Sequence, residues 1–333
     1  MNSRETKRVA KIATLIAAIA LLAGASVARA EQTAEGSFAR TLKVSGAVDL
    51  DVKTGSGSIQ VRTGDASAVH VVGKIKARES FFGGISAEEK VRRLETNPPI
   101  RQTGNSITIG EIEDRDLREN VSVSYELVVP AETRLRSHTG SGSQNIDGVR
   151  GTVEAGTGSG SLTLANIGGD VRASTGSGGV EMSSIKGAVR ANTGSGDIRA
   201  RGVAGSFNGS TGSGDVAVQQ SAAGDVEVET GSGSIEMTGV HGGVRARTGS
   251  GSIRADGEMT GSWRLHTSSG SVTVRLPGNA AFDLAARTSS GNIQTAHPIT
   301  VQGTIGRREL NGKVRGGGPL LEVSTSSGSI HIE

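Results

Sequence analysis

Apolar positions along this chain fall in pairs two residues apart, and the same set of pairs returns unit after unit. After Thr157 they are Leu162, Leu164, Ile167, Val171 and Ala173; after Thr230 they are Ile235, Met237, Val240, Val244 and Ala246. A spacing of two is the period of a strand with one buried face. The pairs at offsets five and seven, and at fourteen and sixteen, therefore predict two short strands per unit. Glycine-rich bends separate them, and an extra aliphatic side chain (Ile167, Val203 or Val240) fills one bend.

The units are marked by a tetrad, Thr-Gly/Ser-Ser-Gly, which begins at Thr54, Thr139, Thr157, Thr175, Thr193, Thr211, Thr230, Thr248, Thr267, Thr288 and Thr325. From Thr139 to Thr288 the steps are 18, 18, 18, 18, 19, 18, 19 and 21 residues. A unit this short cannot bury its own apolar face, but units stacked in parallel can. The expected fold class is all-β: a parallel β-helix or β-solenoid of about 18 residues per turn, its strands spaced about 4.8 Å along the axis. Right-handed winding follows the rule for parallel crossovers. In Val244-Arg245-Ala246-Arg247-Thr248 the alternation turns Val, Ala and Thr inward and both arginines outward. The threonines are expected to form a hydroxyl ladder with those above and below. Glycine is expected in the corner because it tolerates φ > 0.

Two regions break the rhythm. Residues 31–138 are read as an N-terminal cap with the first rung: Val48, Leu50, Val52 and Thr54 alternate, and Ile59 and Val61 follow. Inside the cap, Ser86-Ala-Glu-Glu89 has capping-box spacing, and Ala87, Val91 and Leu94 share a helical face before Pro98-Pro99, predicting one short helix. Strands are expected at Ser106–Ile109 and Val121–Val129. Residues 139–333 form the solenoid, with 37 residues between the last two tetrads and closing strands at Leu321–Thr325 and Ile330–Ile332.

Residues 1–30 read as a secretory signal: Arg4, Lys7, Arg8 and Lys11 precede an apolar segment, Ile12 to Ala25, and Ala28-Arg29-Ala30 supplies the small residues of a cleavage site. The apolar run is short for a membrane span, so no stable span is expected after cleavage. The whole chain has 36 basic and 33 acidic residues; the signal holds five and one of these, leaving 31 and 32. A net charge near zero gives no basic surface for nucleic acid. No cysteine is present, so neither disulfides nor lipid attachment contribute. The expected location is bacterial and exported: periplasm, cell surface or medium.

The residues offer little chemistry. Gly73-Lys74 and Gly312-Lys313 are followed by Ile and Val, so no phosphate-binding loop is formed, and no cofactor is expected. Asp197 and Asp215 superficially match a calcium nonapeptide, but most copies carry Ser there, with Gly179 and Asn292 in two others. The histidines (His70, His138, His241, His266, His297, His331) lack metal-ligand spacing, and Asp147, Asp170, Asp197, Asp225, Asp256 and Asp283 form no evident acid pair. No catalytic, cofactor or metal residue is assigned. Outward positions of successive units carry Glu154, Arg172, Arg190, Asn208, Glu227, Arg245 and Arg264, a solvated column of mixed charge.

Some stretches are similar to known sequences. Val123-Ser-Tyr125-Glu-Leu-Val-Val-Pro130 leads into Leu135–Gly142 and the repeated Ser-Gly-Ser/Asp-Ile/Val units. Leu276-Pro-Gly-Asn-Ala-Ala-Phe-Asp-Leu-Ala-Ala-Arg-Thr-Ser-Ser-Gly291 follows, then Gly316-Gly-Gly-Pro319 before Leu321–Ile330. On these residues, which span nearly everything after residue 40, the chain resembles the bacterial putative-adhesin family of β-strand repeats, domain of unknown function 4097. The resemblance implies an exported β-helix-like domain and carries over no catalytic residues. The expected function is a non-enzymatic adhesin or cell-envelope binding scaffold, with an envelope glycan or a surface protein as partner. An envelope-stress or signalling accessory that docks a membrane partner is the alternative. A carbohydrate-active β-helix enzyme is more remote and would need converging carboxylates.

Overall fold

The computed structural model describes residues 33–79, 84–301 and 306–333. The signal expected at residues 1–30 lies outside the described residues. The described chain is mostly β: one mixed, largely parallel sheet of 27 strands and two short helices. Its strands form two columns whose inner faces share one core.

In the first column the strands Val153–Thr157, Val171–Thr175, Val189–Thr193, Phe207–Thr211 and Val226–Thr230 pair in parallel, each threonine opposite the next. In the opposite column Leu162–Ile167, Val180–Ile185, Ile198–Val203 and Val216–Gln220 do the same. Inward positions are almost fully buried. Val171, Ala173, Val180, Met182 and Ile185 are all at most 3% exposed, and each fully buried aliphatic side chain contributes roughly 1.5–3 kcal/mol. Volumes are balanced locally. Phe207 stands where its neighbouring units have Val, and the next inward residue on the same strand is Gly209, where a Cβ would lie 2.6 Å from the Phe207 ring.

The tetrad threonines do point inward, but they do not hydrogen-bond to one another. From Thr139 onward each Oγ1 donates to the last glycine of the neighbouring tetrad, as Thr157 to Gly142 O at 2.9 Å, Thr175 to Gly160 O at 2.8 Å and Thr193 to Gly178 O at 2.8 Å, while Thr54 donates to Val123 O at 2.7 Å. The same oxygen accepts its own tetrad's last N–H, as from Gly160 to Thr157 at 3.1 Å. The hydroxyl thus ties one corner to the next through backbone groups that no strand ladder reaches.

The tetrad glycines are needed for a different reason from the one expected. Those of the regular units do not take positive φ; they stack. A Cβ on Gly214 would lie 2.0 Å from Gly196 O, and one on Gly212 would lie 2.4 Å from Gly194 O. Left-handed backbone occurs instead at the other bend, nine residues after the threonine: Gly148 (φ 81°), Asn166 (56°), Ser184 (56°), Gly202 (70°) and Gly239 (65°). Gly, Asn and Ser share that position, and asparagine tolerates the conformation better than serine.

At both ends spatial order departs from chain order. The first rung, Val48–Thr54 with Ile59–Thr63, lies between two later rungs: Ser106–Ile109 with Val121–Val129 on its outer side, and Thr133–Thr139 with Gln144–Asp147 on its inner side. The last strands, Leu320–Ser327 and Ile330–Ile332, do not end the stack as chain order implies. They are inserted between the rung containing Trp263 and Val272 and the rung containing Leu284 and Ile293. The glycine stack runs accordingly from Gly251 through Gly270 and Gly328 to Gly291.

Antiparallel strands flank the ends: Ile100–Thr103, Ala68–Arg78 and Thr33–Lys43 at one, Glu309–Val314 and Ile299–Thr300 at the other. Helix α1 (Ala87–Thr96) buries Ala87, Val91 and Leu94 as the spacing predicted, and Ser86 accepts from Glu89 N–H at 3.2 Å. The Glu89 carboxylate does not close the capping box; it binds Arg93 at 2.7 Å, which holds it below the usual carboxylate range. Lys90, only 2% exposed, donates to Glu119 O at 2.7 Å. That carbonyl follows a second helix, α2 (Arg115–Arg118), which its four residues were too few to announce by periodicity.

Candidate interaction surface

Alternation that sends Val, Ala and Thr inward sends the intervening side chains of the first column outward in register. In spatial order they are Asp51, Arg136, Glu154, Arg172, Arg190, Asn208, Glu227, Arg245, Arg264 and Glu322. The column seen in the sequence is therefore one uninterrupted ladder, and the structure adds Arg136 and Asp51 at one end and Glu322 at the other. Glu322 belongs beside Arg264 because of the inserted last rung; their side chains meet at 3.4 Å. Arg245 approaches Glu227 at 4.0 Å, and Asn208 Nδ2 donates to Glu227 Oε2 at 3.0 Å.

Shallow clefts run along this face. One of about 290 Å³ is lined by Arg190, Asn192, Asn208, Ser210 and Glu229 among others, and a wider one of about 470 Å³ by Asn208, Asp225, Arg245 and Arg264. The described aromatic residues Phe38, Tyr125, Phe207, Trp263 and Phe282 are buried, Phe207 bordering the wider cleft from beneath. A separate groove of about 310 Å³ lies between the end of α1 and residues 111–117, with Leu94, Pro99, Ile112 and Leu117 beside Arg101 and Glu111.

Several of the residues weighed for chemistry serve the coil. Asp197 Oδ1 accepts the N–H of Asp215 at 2.9 Å, and Asp215 Oδ1 accepts that of Ser234 at 2.8 Å. Ser143 and Ser234 hydroxyls do the same for Ser161 and Ser252, at 3.2 and 3.4 Å. Ser and Asp are interchangeable here because each offers one acceptor to the next rung's backbone. Asp170 and Asp225 likewise accept from Ala188 and Gly243, at 2.9 and 2.7 Å. The six histidines are dispersed. His297 packs edge-on against Phe282 at 5.5 Å, His266 meets Ser324 Oγ at 2.8 Å and His241 meets Glu258 at 3.4 Å. Among the described residues no three His, Asp or Glu side chains are placed to hold a metal ion. No described helix is long and apolar enough to cross a membrane.

Perturbed ionisation lies away from the ladder. Burial pushes the Tyr125 phenol up. At the C-terminal hairpin, a hydrogen bond from Arg287 at 2.8 Å holds Glu309 below the ordinary carboxylate range, aided by Asn311. Both features belong to the capped ends.

Residues 168–333 match the family model Toastrack DUF4097. No curated protein matches the chain. Among solved structures it is similar to a putative adhesin from Bacteroides fragilis NCTC 9343, at 12% identity over 90% of this chain and 97% of that one, TM-score 0.30. A putative lipid binding protein from Parabacteroides distasonis ATCC 8503 is 13% identical over 90% and 97%, TM-score 0.35. A putative cell adhesion protein from Clostridium sporogenes ATCC 15579 is 12% identical over 90% and 99%, TM-score 0.23.

Proposed function

The chain belongs to the Toastrack DUF4097 family through residues 168–333, and from that premise we propose a non-enzymatic, exported binding scaffold of the bacterial cell envelope. Its frame is a right-handed β-solenoid of about 18 residues per turn, and its partner is an envelope glycan or a surface protein. The observation that carries this reading is the outward ladder from Arg136 to Glu322. It presents guanidinium, amide and carboxylate groups in fixed register, about 4.8 Å apart. The strands beneath are held by buried aliphatics and by corner hydrogen bonds, so the outer groups are pre-positioned, which lowers the ordering cost of binding.

Catalysis would ask for something else: a converging nucleophile and base, or paired acids. Of the aspartates weighed for that role, Asp170, Asp197 and Asp225 accept backbone N–H groups of the next rung. The reading is tested by incubating the purified protein with intact cells, purified peptidoglycan and outer-surface extracts. Retention is expected on at least one of these, weakening as salt screens the exposed charges. Absence of retention on all three, at low salt, would remove the scaffold reading.

A further inference from the structure

Arg172 and Arg190 are register partners on adjacent parallel strands. Two like charges directly opposite one another in a sheet are unfavourable unless something compensates them. The next pair of adjacent arginines, Arg245 and Arg264, is compensated: Glu227 and Glu322 lie at 4.0 and 3.4 Å. Arg172 and Arg190 form no ion pair with any described residue, although Glu154 is the register neighbour of Arg172 and Asp170 stands just before its strand. The Asp170 carboxylate is turned to the Ala188 N–H at 2.9 Å. On its other side Arg190 faces Asn208 rather than an acid, and Asn192 and Ser210 line the same cleft with Glu227 and Glu229, neither of which forms an ion pair with Arg190. Carboxylates stand near both arginines, yet neither guanidinium is held by one, and guanidinium forks fit planar or tetrahedral oxyanions well.

We propose that Arg172 and Arg190, with Asn192, form an oxyanion-binding subsite for a carboxylate or phosphate group carried on an envelope polymer. The subsite rests on the scaffold reading for its biological partner but not for its chemistry. It is tested by titrating the purified protein with tetragalacturonate and, separately, with inorganic phosphate. Calorimetry gives the affinity, and the side-chain Nε–Hε resonances of arginine report the site. Binding of at least one probe is expected: tetragalacturonate alone identifies a uronate-type carboxylate, phosphate alone a phosphate-bearing polymer. Arg172→Gln and Arg190→Gln should each weaken binding about tenfold, while Arg264→Gln stays within about twofold. Circular dichroism of each variant checks that the fold is kept. Failure of both probes, or equal weakening by Arg172→Gln and Arg264→Gln, overturns the subsite. If cells or peptidoglycan are still retained when neither probe binds, the scaffold stands and the arginine pair falls.

Discussion

The units from Val153 to Thr230 and the rungs at the two ends use the same strands and the same corners, yet they are assembled differently. In the middle each unit lies between the units before and after it in the chain. At the ends the terminal rung is tucked one place inward, so Val48–Thr63 and Leu321–Ile332 have partners on both sides while chain segments between them and the middle lie farther out. Chain termini normally fray, and open strand edges invite unwanted pairing. The two ends differ in what covers them: Glu309–Val314 pairs outside Phe282–Ser290 at one, whereas at the other the outermost strand is the first described one, Thr33–Lys43, paired with Ala68–Arg78. The corner changes at the C-terminal end as well. Its three tetrads read Thr-Ser-Ser-Gly, and their strands run on past the threonine so that Ser269, Ser290 and Ser327 still pair.

The largest test of this difference is removal of residues 320–333. It withdraws Leu321, Val323, Ile330 and Ile332, each at most 1% exposed, and opens a gap inside the sheet rather than shortening its end. A loss on the order of 10 kcal/mol is expected, seen as melting of the C-terminal rungs in hydrogen exchange. Unchanged protection at Trp263 to Arg275 would refute the inserted topology.

The corner itself is probed by Gly214→Val, which drives a side chain into Gly196 O and should cost about 3 kcal/mol or more in denaturant unfolding. Gly212→Ser, whose Cβ would meet Gly194 O at the longer distance of 2.4 Å, should cost less, about 1–2 kcal/mol. The equivalent position already holds Ser268, Ser289 and Ser326 in the end rungs. Equal losses for the two variants would mean that the regular corner rejects the serine that the end corners accept, so that the corners of the two regions are built differently.

At the opposite bend the expected sign reverses. Ser184 holds φ at 56°, so Ser184→Gly should stabilise by about 0.5–1 kcal/mol, measured as a raised Tm. Arg190→Ala, which touches only the outer ladder, should shift stability by about 0.5 kcal/mol or less. A further contrast is pH. The folded protein holds Glu309 below its ordinary value through Arg287, so that contribution is present at neutral pH and is lost as pH falls through the depressed folded value. Amide shifts of Glu309–Val314 should report the acid transition, and Arg287→Gln should move it upward.

How far the sequence could be read follows the same division. Alternation placed Val171, Ala173 and Thr175 on the inner face and Arg172 on the outer because side-chain direction in a strand depends only on parity. It also gave α1 its buried face. The reason for each glycine was less legible: the chain shows where glycine stands, while only the stacked backbones show that Gly214 avoids a clash and Gly202 a left-handed strain. Buried Gln144 and Gln220 escaped the aliphatic pattern altogether. Gln220 Nε2 reaches Gly205 O at 3.2 Å and Gly224 O at 3.0 Å, partners defined only after the coil has formed. The unneutralised state of Arg172 and Arg190 was likewise invisible, since it depends on which acids reach across rungs.

By itself the sequence determined the repeat length, the two strands of each unit, their inward and outward faces and the threonine at each corner, because all of these follow from local parity and spacing. Tertiary structure alone decided the order in which the end rungs stack, the partner of each corner hydroxyl and the neighbours along the charged ladder. Repeats with the same register chemistry are interchangeable to the sequence. Which one lies beside which is set by the connections that can pass around the ends and by the edges that must be covered.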